Sequence, residues 1–278
     1  MIKFTADKTR KLSKLALYNC EDLSYGALCR LLRKKDVKVN GKRVSDDVTL
    51  SPGDVVEIFY TPAPSAKYDV VYSDGNVIVV DKKSGYSSES VFADLQKAVR
   101  ADGSGENVYF IHRLDRNTSG LMIFALNAAA ESELSDGFKN RTFDKYYIAE
   151  VKGVPRNKSA ELCAYLFKDA KNARVTVYDR PVKGSVRIKT GYETVKEYDG
   201  KSLLRVKLFT GKTHQIRAHL AHIGHPVTGD GKYGDNAFNK AENAGSQRLK
   251  AVSLTLRFNA DSPLYYLDGR TFSLPETF

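Results

Sequence analysis

The sequence predicts an α+β protein: a large domain on a mixed, largely antiparallel sheet, preceded by a small α/β domain. Three observations lead there. The chain has 278 residues, about twice the usual single-domain length, which calls for one large domain and a small one. Apolar alternating stretches outnumber helical patterns, and several adjoin with no helix between them, unlike the regular alternation of a doubly wound sheet. Thr61-Pro-Ala-Pro-Ser-Ala-Lys67 is an extended spacer with little to pack. The expected division is therefore residues 1–60, a linker at 61–67, and 68–278.

In the first domain, residues 10–18 predict a short helix with Leu12, Leu15 and Ala16 inward. Ser24 suits the N-cap of a second helix running to Lys35, whose Leu28, Leu31 and Leu32 share one face. Val37 and Val39 then alternate with polar residues up to Asn40-Gly41, a strong hairpin signal, and Pro52-Gly53 turns the chain into a last strand over 55–60. In the large domain, strands are expected over 77–80, 109–111, 121–126, 146–151, 187–195, 203–209 and 252–258, and helices over 91–99, 128–138 and 213–223. No internal repeat is visible.

Charge narrows the function. Lys and Arg number 44 against 33 Asp and Glu, a net +11, which favours a polyanionic partner. No apolar run approaches the roughly 20 residues that cross a bilayer, and residues 1–12 are too densely charged for a signal peptide, so nucleic acid ranks ahead of a membrane surface. Cys20, Cys29 and Cys163 are odd in number and lack metal-ligand spacing, which points to a reducing cytoplasm. The densest basic stretch sets Arg30, Arg33, Lys34, Lys35, Lys38, Lys42 and Arg43 against Asp36 alone. It reads either as a solvated face or as a patch that tracks phosphates.

Several chemistries lack their minimum parts. Gly211-Lys212-Thr213 and Gly200-Lys201-Ser202 look like the end of a phosphate-binding loop, but Val206 and Val195 stand where that loop requires glycine. Neither a G-x-S-x-G elbow nor an H-E-x-x-H pair occurs. His219, His222 and His225 are spaced by three, which leaves a metal-dependent hydrolase as an alternative. The segment has no acid before Asp230, and Gly224-His225-Pro226 ends the helix, so packing, capping or RNA contact is expected and no metal.

The segment Phe110 to Phe124 is the richest. An apolar strand delivers Asp115 between Arg113 and Arg116, and a polar turn ending in Gly120 leads into another apolar strand. An acid flanked by bases is most often a surface ion pair. It could equally be a nucleophile kept ionised by its arginines.

Two resemblances bear on these choices. V-K-V-N-G-K-R-V and P-G-D-V-V-E-I, after two short helices and a basic stretch, resemble the S4-type RNA-binding domain over residues 10–60. H-R-L-D-R-N-T-S-G-L at 112–121, K-Y-Y-I-A-E-V-K-G at 145–153 and T-G-K-T-H-Q-I-R-A-H-L-A-H-I-G-H-P-V-T-G-D-G-K-Y-G at 210–234 resemble the RluA family of RNA pseudouridine synthases, in the family's order and across nearly all of 68–278.

These resemblances imply a pseudouridine synthase catalytic domain behind an S4-like domain. They also imply an isomerase that converts uridine to pseudouridine in RNA, foremost large-subunit ribosomal RNA, with transfer RNA as a further target. Asp115 matches the family's essential aspartate. Tyr147 matches the tyrosine that stacks on the uracil and is proposed to remove the C5 proton. Arg217 matches the basic partner of the aspartate, and Arg113 the arginine that helps displace the target nucleotide. Arg116, Lys145, Lys212 and His214 are expected to contact substrate, as are Arg30, Arg33 and Lys34 on the S4-like side. Isomerisation gains no atoms or electrons, so no cofactor is expected. A cytoplasmic monomer acting on RNA, away from membranes, completes the expectation.

The chain departs from the family's pattern twice. Lys82-Lys83-Ser84-Gly85 stands where K-P-x-G is common, which removes a rigid proline. Lys212 stands where G-R-T-H-Q has arginine, and cannot make a two-pronged contact. Both bear on the RNA target more than on the reaction. The rival reading, a non-catalytic RNA-binding or ribosome-assembly factor of the same fold, is disfavoured by Asp115, Tyr147 and Arg217 occurring together.

Overall fold

The chain divides into two units, Met1–Ala66 and Lys67–Phe278, in a computed structural model that describes residues 1–20, 23, 25–60, 66–101 and 107–278. The first unit contains β1 (Ile2–Thr5), β2 (Arg10–Lys11), α1 (Leu12–Asn19), α2 (Tyr25–Arg33), β3 (Val37–Val39), β4 (Lys42–Arg43), β5 (Thr49–Leu50) and β6 (Val55–Ile58). A sheet in the order β1-β6-β3-β4 and the pair β2-β5 close over Leu12, Leu15, Ala16, Leu28, Leu32 and Val56. Asn40 and Gly41 have φ of 51° and 78°, the left-handed pair that a two-residue hairpin turn requires.

Helix ends differ from the sequence reading. Arg10 and Lys11 pair with Leu50 and Thr49 as a strand, and the Leu12 amide donates to the Val48 carbonyl at 2.9 Å, so α1 begins only at Leu12. Lys35 turns left-handed, at φ 58°, and Asp36 N–H donates back to Leu31 O at 2.8 Å. That closes α2 two residues before Lys35. Leu31 is half-buried, unlike Leu28 and Leu32. The proposed cap Ser24 lies outside the described residues, as do 61–65 of the expected linker. Lys67 belongs to the second unit instead, buried with its Nζ 3.2 Å from Asp94.

The second unit comprises β7 (Tyr68–Ser73), β8 (Val77–Lys82), α3 (Ser88–Ala101), β9 (Tyr109–Phe110), β10 (Ser119–Ala125), α4 (Ala128–Asn140), β11 (Asp144–Lys152), β12 (Ser159–Asp169), β13 (Arg174–Tyr178), β14 (Val186–Tyr198), β15 (Lys201–Leu208), α5 (Gln215–His222), α6 (Asn236–Ala241), β16 (Leu249–Thr255) and β17 (Thr271–Ser273). One sheet runs β13-β12-β14-β15-β11-β16-β10-β8-β7, with β17 on β16 and β9 on β10. It is mixed and largely antiparallel, β10 and β16 forming the parallel pair. The alternations in β7, β12 and β13 are short or interrupted by charge, which hid them in the sequence.

Alternation also sets the layers. Ile78, Val80, Met122 and Phe124 face α3 and α5, while Val77, Val79, Leu121 and Ile123 face α4. The middle of the sheet is thus buried on both sides. Where β10 meets β16, Gly120 has φ 111°, and a Cβ there would lie 2.1 Å from the Ala251 carbonyl oxygen. Only glycine lets the two strands approach at this point, and the crossing lies five residues after Asp115.

Candidate active site

Asp115 sits on the turn before β10, with fixed backbone on either side. The Ser88 hydroxyl at the start of α3 donates to Leu114 O and accepts from Leu114 N–H, both at 2.9 Å. On the other side, Arg116 O accepts from Gly85 N–H at 2.9 Å and from Lys82 Nζ at 3.1 Å. Lys82 has no solvent exposure, and its ammonium also donates to Lys83 O and Tyr86 O at 3.0 and 2.9 Å. Three donors meet three carbonyls. Burial pushes the Lys82 amine down to about 8, against the pull of the Asp115 charge, so it remains an ammonium at neutral pH. No periodicity in the sequence singles out Lys82 as the anchor of this turn.

Arg217 projects from α5 and donates from Nη1 to Asp115 Oδ2 at 2.7 Å. Its other edge is held by Asp230, which accepts from Nε at 2.7 Å and from Nη2 at 2.9 Å. Burial alone would raise the Asp230 carboxyl, but the Arg217 hydrogen bonds and charge outweigh it, with help from the backbone amides of Lys232 and Tyr233. The Arg217 guanidinium is likewise held fully protonated by its two carboxylates, in spite of burial. Asp230 stands thirteen residues after Arg217, and only the fold brings the two together.

His214 precedes α5 in the left-handed region, at φ 52°, a conformation that costs a non-glycine residue about 1–3 kcal/mol. Its Nδ1 lies 2.9 Å from the Tyr233 hydroxyl, which already accepts from Val175 N–H at 2.9 Å. The hydroxyl keeps its own proton to donate to Nδ1, an arrangement that places the imidazole proton on Nε2; Nε2 lies 3.8 Å from Asp115 Oδ1. Burial lowers the imidazole pKa, against the pull of Asp115, which keeps the ring neutral. Gln215 fixes the neighbouring loop: its Oε1 accepts from Thr210 and from Lys212 N–H, while Nε2 donates to Lys189 O and Thr190.

Asp115, His214, Gln215 and Arg217 border a cavity of about 290 Å³ that also takes in Arg113, Tyr147, Lys168 and Lys212. Leu114, Leu208, Ile216 and Leu249 give it apolar walls, the mixture that suits a flat base attached to a charged backbone. Tyr147 is buried, and its phenol is raised well above the usual range, first by burial and then by the Asp115 charge, so the hydroxyl keeps its proton. Arg113 is exposed and pairs loosely with Glu89 at 3.4 Å.

Two expected contacts lie elsewhere. Arg116 turns its guanidinium to Gly85 O at 3.3 Å and does not line the cavity. The Lys145 ammonium lies 5.1 Å from the centre of the Phe138 ring and does not line the cavity; next to it the pairing of β11 with β16 slips by one residue, at Val252. The three spaced histidines do not converge either: His219 bonds Thr190 at 3.0 Å, His222 bonds Asp179 at 2.8 Å, and His225 bonds Lys152 O at 3.0 Å. Among the described residues, no three His, Cys, Asp or Glu side chains cluster for a metal, and no helix is long and apolar enough to cross a membrane. Arg30, Arg33 and Lys34 are exposed on the first unit.

Comparison with known proteins agrees with this geometry. Residues 76–222 match the family described as RNA pseudouridylate synthase. The chain is 30% identical over 259 residues to the ribosomal large subunit pseudouridine synthase C of Vibrio vulnificus, covering 86% of this chain and 81% of that protein. It is 31% identical over 269 residues to an uncharacterised RNA pseudouridine synthase of Mycobacterium bovis, covering 86% and 83%. Among solved structures, human RNA pseudouridylate synthase domain containing 1 superposes with a TM-score of 0.58 at 27% identity, covering 69% of this chain and 80% of that one. A base-sized cavity beside a carboxylate held by arginine, on a fold and sequence shared with these proteins, makes this chain a member of the RluA-type RNA pseudouridine synthase family, and so an isomerase.

Proposed function

We propose that the enzyme isomerises uridines of large-subunit ribosomal RNA, with Asp115 as its catalytic carboxylate. The Arg217 to Asp115 contact in a cavity that also holds Tyr147 is the observation that carries this reading. Asp115 acts as an anion, either by attacking C1′ of the target nucleotide or by taking a proton from the sugar, and Arg217 stabilises that charge. Tyr147 offers its ring to the extruded uracil, and Arg113 at the rim fills the gap left in the stack. Because the phenol is neutral, it can receive the C5 proton only as it gives up its own, and Asp115 is the nearby anion able to take it. Lys212 and His214 contact the nucleotide.

Residues 1–60 act as an S4-like RNA-docking domain through Arg30, Arg33 and Lys34, joined by the linker to a catalytic domain that starts at Lys67. A ribosomal substrate implies work in the cytoplasm, and the enzyme acts there as a monomer. Large-subunit RNA is favoured because the relatives from Vibrio species carry that substrate in their names.

The test is Asp115→Asn, which keeps shape and removes charge. We expect no tritium release from 5-labelled uridine in ribosomal RNA and RNA affinity within a few fold of wild type. Turnover by the purified variant would refute the role of Asp115. Pseudouridine mapping in a strain lacking the gene identifies the RNA.

A further inference from the structure

Thr118 and Gln247 meet inside the catalytic unit across 129 residues of sequence: Gln247 Nε2 donates to Thr118 Oγ1 at 2.8 Å. Both are buried, with 2% and 5% exposure. Thr118 ends the turn that carries Asp115, its N–H donating to Asp115 O at 3.0 Å, and it lines the active-site cavity. Its oxygen already accepts from Gln247, so the hydroxyl proton is left for a further acceptor. Among the described residues, none takes it.

Gln247 is held by a seam between two distant segments. Arg248 N–H donates to Thr228 O at 2.8 Å, and Glu150 N–H to Arg248 O at 3.1 Å. Gly229 has φ 75°, and a Cβ there would lie 1.9 Å from Ser246 O, so only glycine lets the segments close to this distance. Asp230 follows at once and clamps Arg217. One seam therefore reaches both ends of the catalytic turn, Asp115 through Asp230 and Arg217, and Thr118 through Gln247. The Gln247 amide is also a poor stabiliser of the core, because its Oε1 is buried without a partner. An apolar side chain would avoid that loss, and a buried unpaired polar atom of this kind calls for a role other than stability.

We propose that the Thr118 hydroxyl donates to an oxygen of the target nucleotide, and that Gln247 is the positioning residue which aims it by occupying its acceptor side. The inference rests on the reading above, in which this cavity takes the nucleotide and Asp115 is the catalytic carboxylate. One hydrogen bond adds little to the affinity of an RNA held through many phosphates. It does fix the orientation of the reacting sugar and base against Asp115, so its loss falls on kcat and leaves KM nearly unchanged.

The test follows tritium release from 5-labelled uridine in total RNA of a strain lacking the gene, which contains the substrate whichever RNA it is. We expect Thr118→Val, which keeps the shape and removes the hydroxyl, to lower kcat about tenfold at similar KM. Thr118→Ser should recover most of that loss. Gln247→Glu replaces the donor with a carboxylate that accepts the threonine proton and turns it from the cavity, so kcat should fall as far as in Thr118→Val. Gln247→Leu combined with Thr118→Val should be no slower than Thr118→Val alone, as for two residues acting as one unit. Wild-type kcat in Thr118→Val would overturn the inference, and so would a serine variant as slow as the valine one, which would point to packing. Wild-type kcat in Gln247→Glu, or losses that multiply to about a hundredfold in the double variant, would remove Gln247 as the positioning residue. Turnover by Asp115→Asn would instead overturn the reading of the cavity itself, whereas an active Thr118→Val beside an inactive Asp115→Asn overturns this inference alone.

Discussion

The carboxylate of Asp230, with no solvent exposure, takes both Nε–H and Nη2–H of Arg217, at 2.7 and 2.9 Å. Two bonds along one edge of the guanidinium fix its plane, which leaves Nη1 alone to face Asp115. Asp230→Asn would set an amide donor against the arginine donors and release Arg217 from one side. Breaking a buried pair costs about 3 to 5 kcal/mol. We expect kcat to fall by at least about tenfold with KM for RNA little changed. Steady-state kinetics on wild type and variant check this, and an unchanged kcat would remove Asp230 from the positioning of Arg217.

Tyr233→Phe removes the hydroxyl that meets His214 and that also accepts from Val175 N–H. The ring stays in place, but Nδ1 of His214 loses the hydroxyl 2.9 Å away. Loss of one hydrogen bond is worth about 0.5 to 1.5 kcal/mol, so kcat should fall about three- to tenfold. Nitrogen-15 spectra of the imidazole should show the Nε2–H tautomer in wild type and a mixture in the variant. A single unchanged tautomer would show that something other than Tyr233 sets it.

Tyr147→Phe keeps the ring and removes the phenol. Stacking on an aromatic ring is worth about 1 to 3 kcal/mol per base and is retained, so RNA binding should change little. Tritium release from 5-labelled uridine should nevertheless collapse. If the Phe variant released tritium at the wild-type rate, the C5 proton would have another acceptor.

His219 gives the fold an acid limit. Burial, with the nearby charge of His222, holds its imidazole down to about 4 in the folded chain, whereas the unfolded chain takes up that proton near pH 6.5. Between those values the unfolded state binds more protons, so stability is full above about 6.5 and falls as pH drops toward about 4. Melting temperatures over this range should decline for wild type and decline less steeply for His219→Gln. Parallel curves would mean that other groups set the acid limit.

Much of this protein is legible in its sequence. Alternation along residues 77–80 and 121–126 identifies strands because a sheet buried on both faces needs apolar residues on both, and Asn40-Gly41 identifies a hairpin because its turn needs left-handed φ. The motif around Asp115, with Tyr147 and Arg217, pointed to the family because long matched stretches rarely coincide by chance. What sequence alone could not decide depends on contacts between distant residues. Lys82 pins the Asp115 turn through three carbonyls on two loops, and Asp230 clamps Arg217 from beyond the helix. Lys145 turns to Phe138 while Tyr147 lines the cavity, beside a one-residue slip of β16 against β11 at Val252, and no local pattern announces such a slip. Charge shows the same limit: basic residues are countable in the sequence, but only tertiary structure decides which of them a neighbouring carboxylate neutralises, as Glu161 does Lys189 and Asp144 does Lys207.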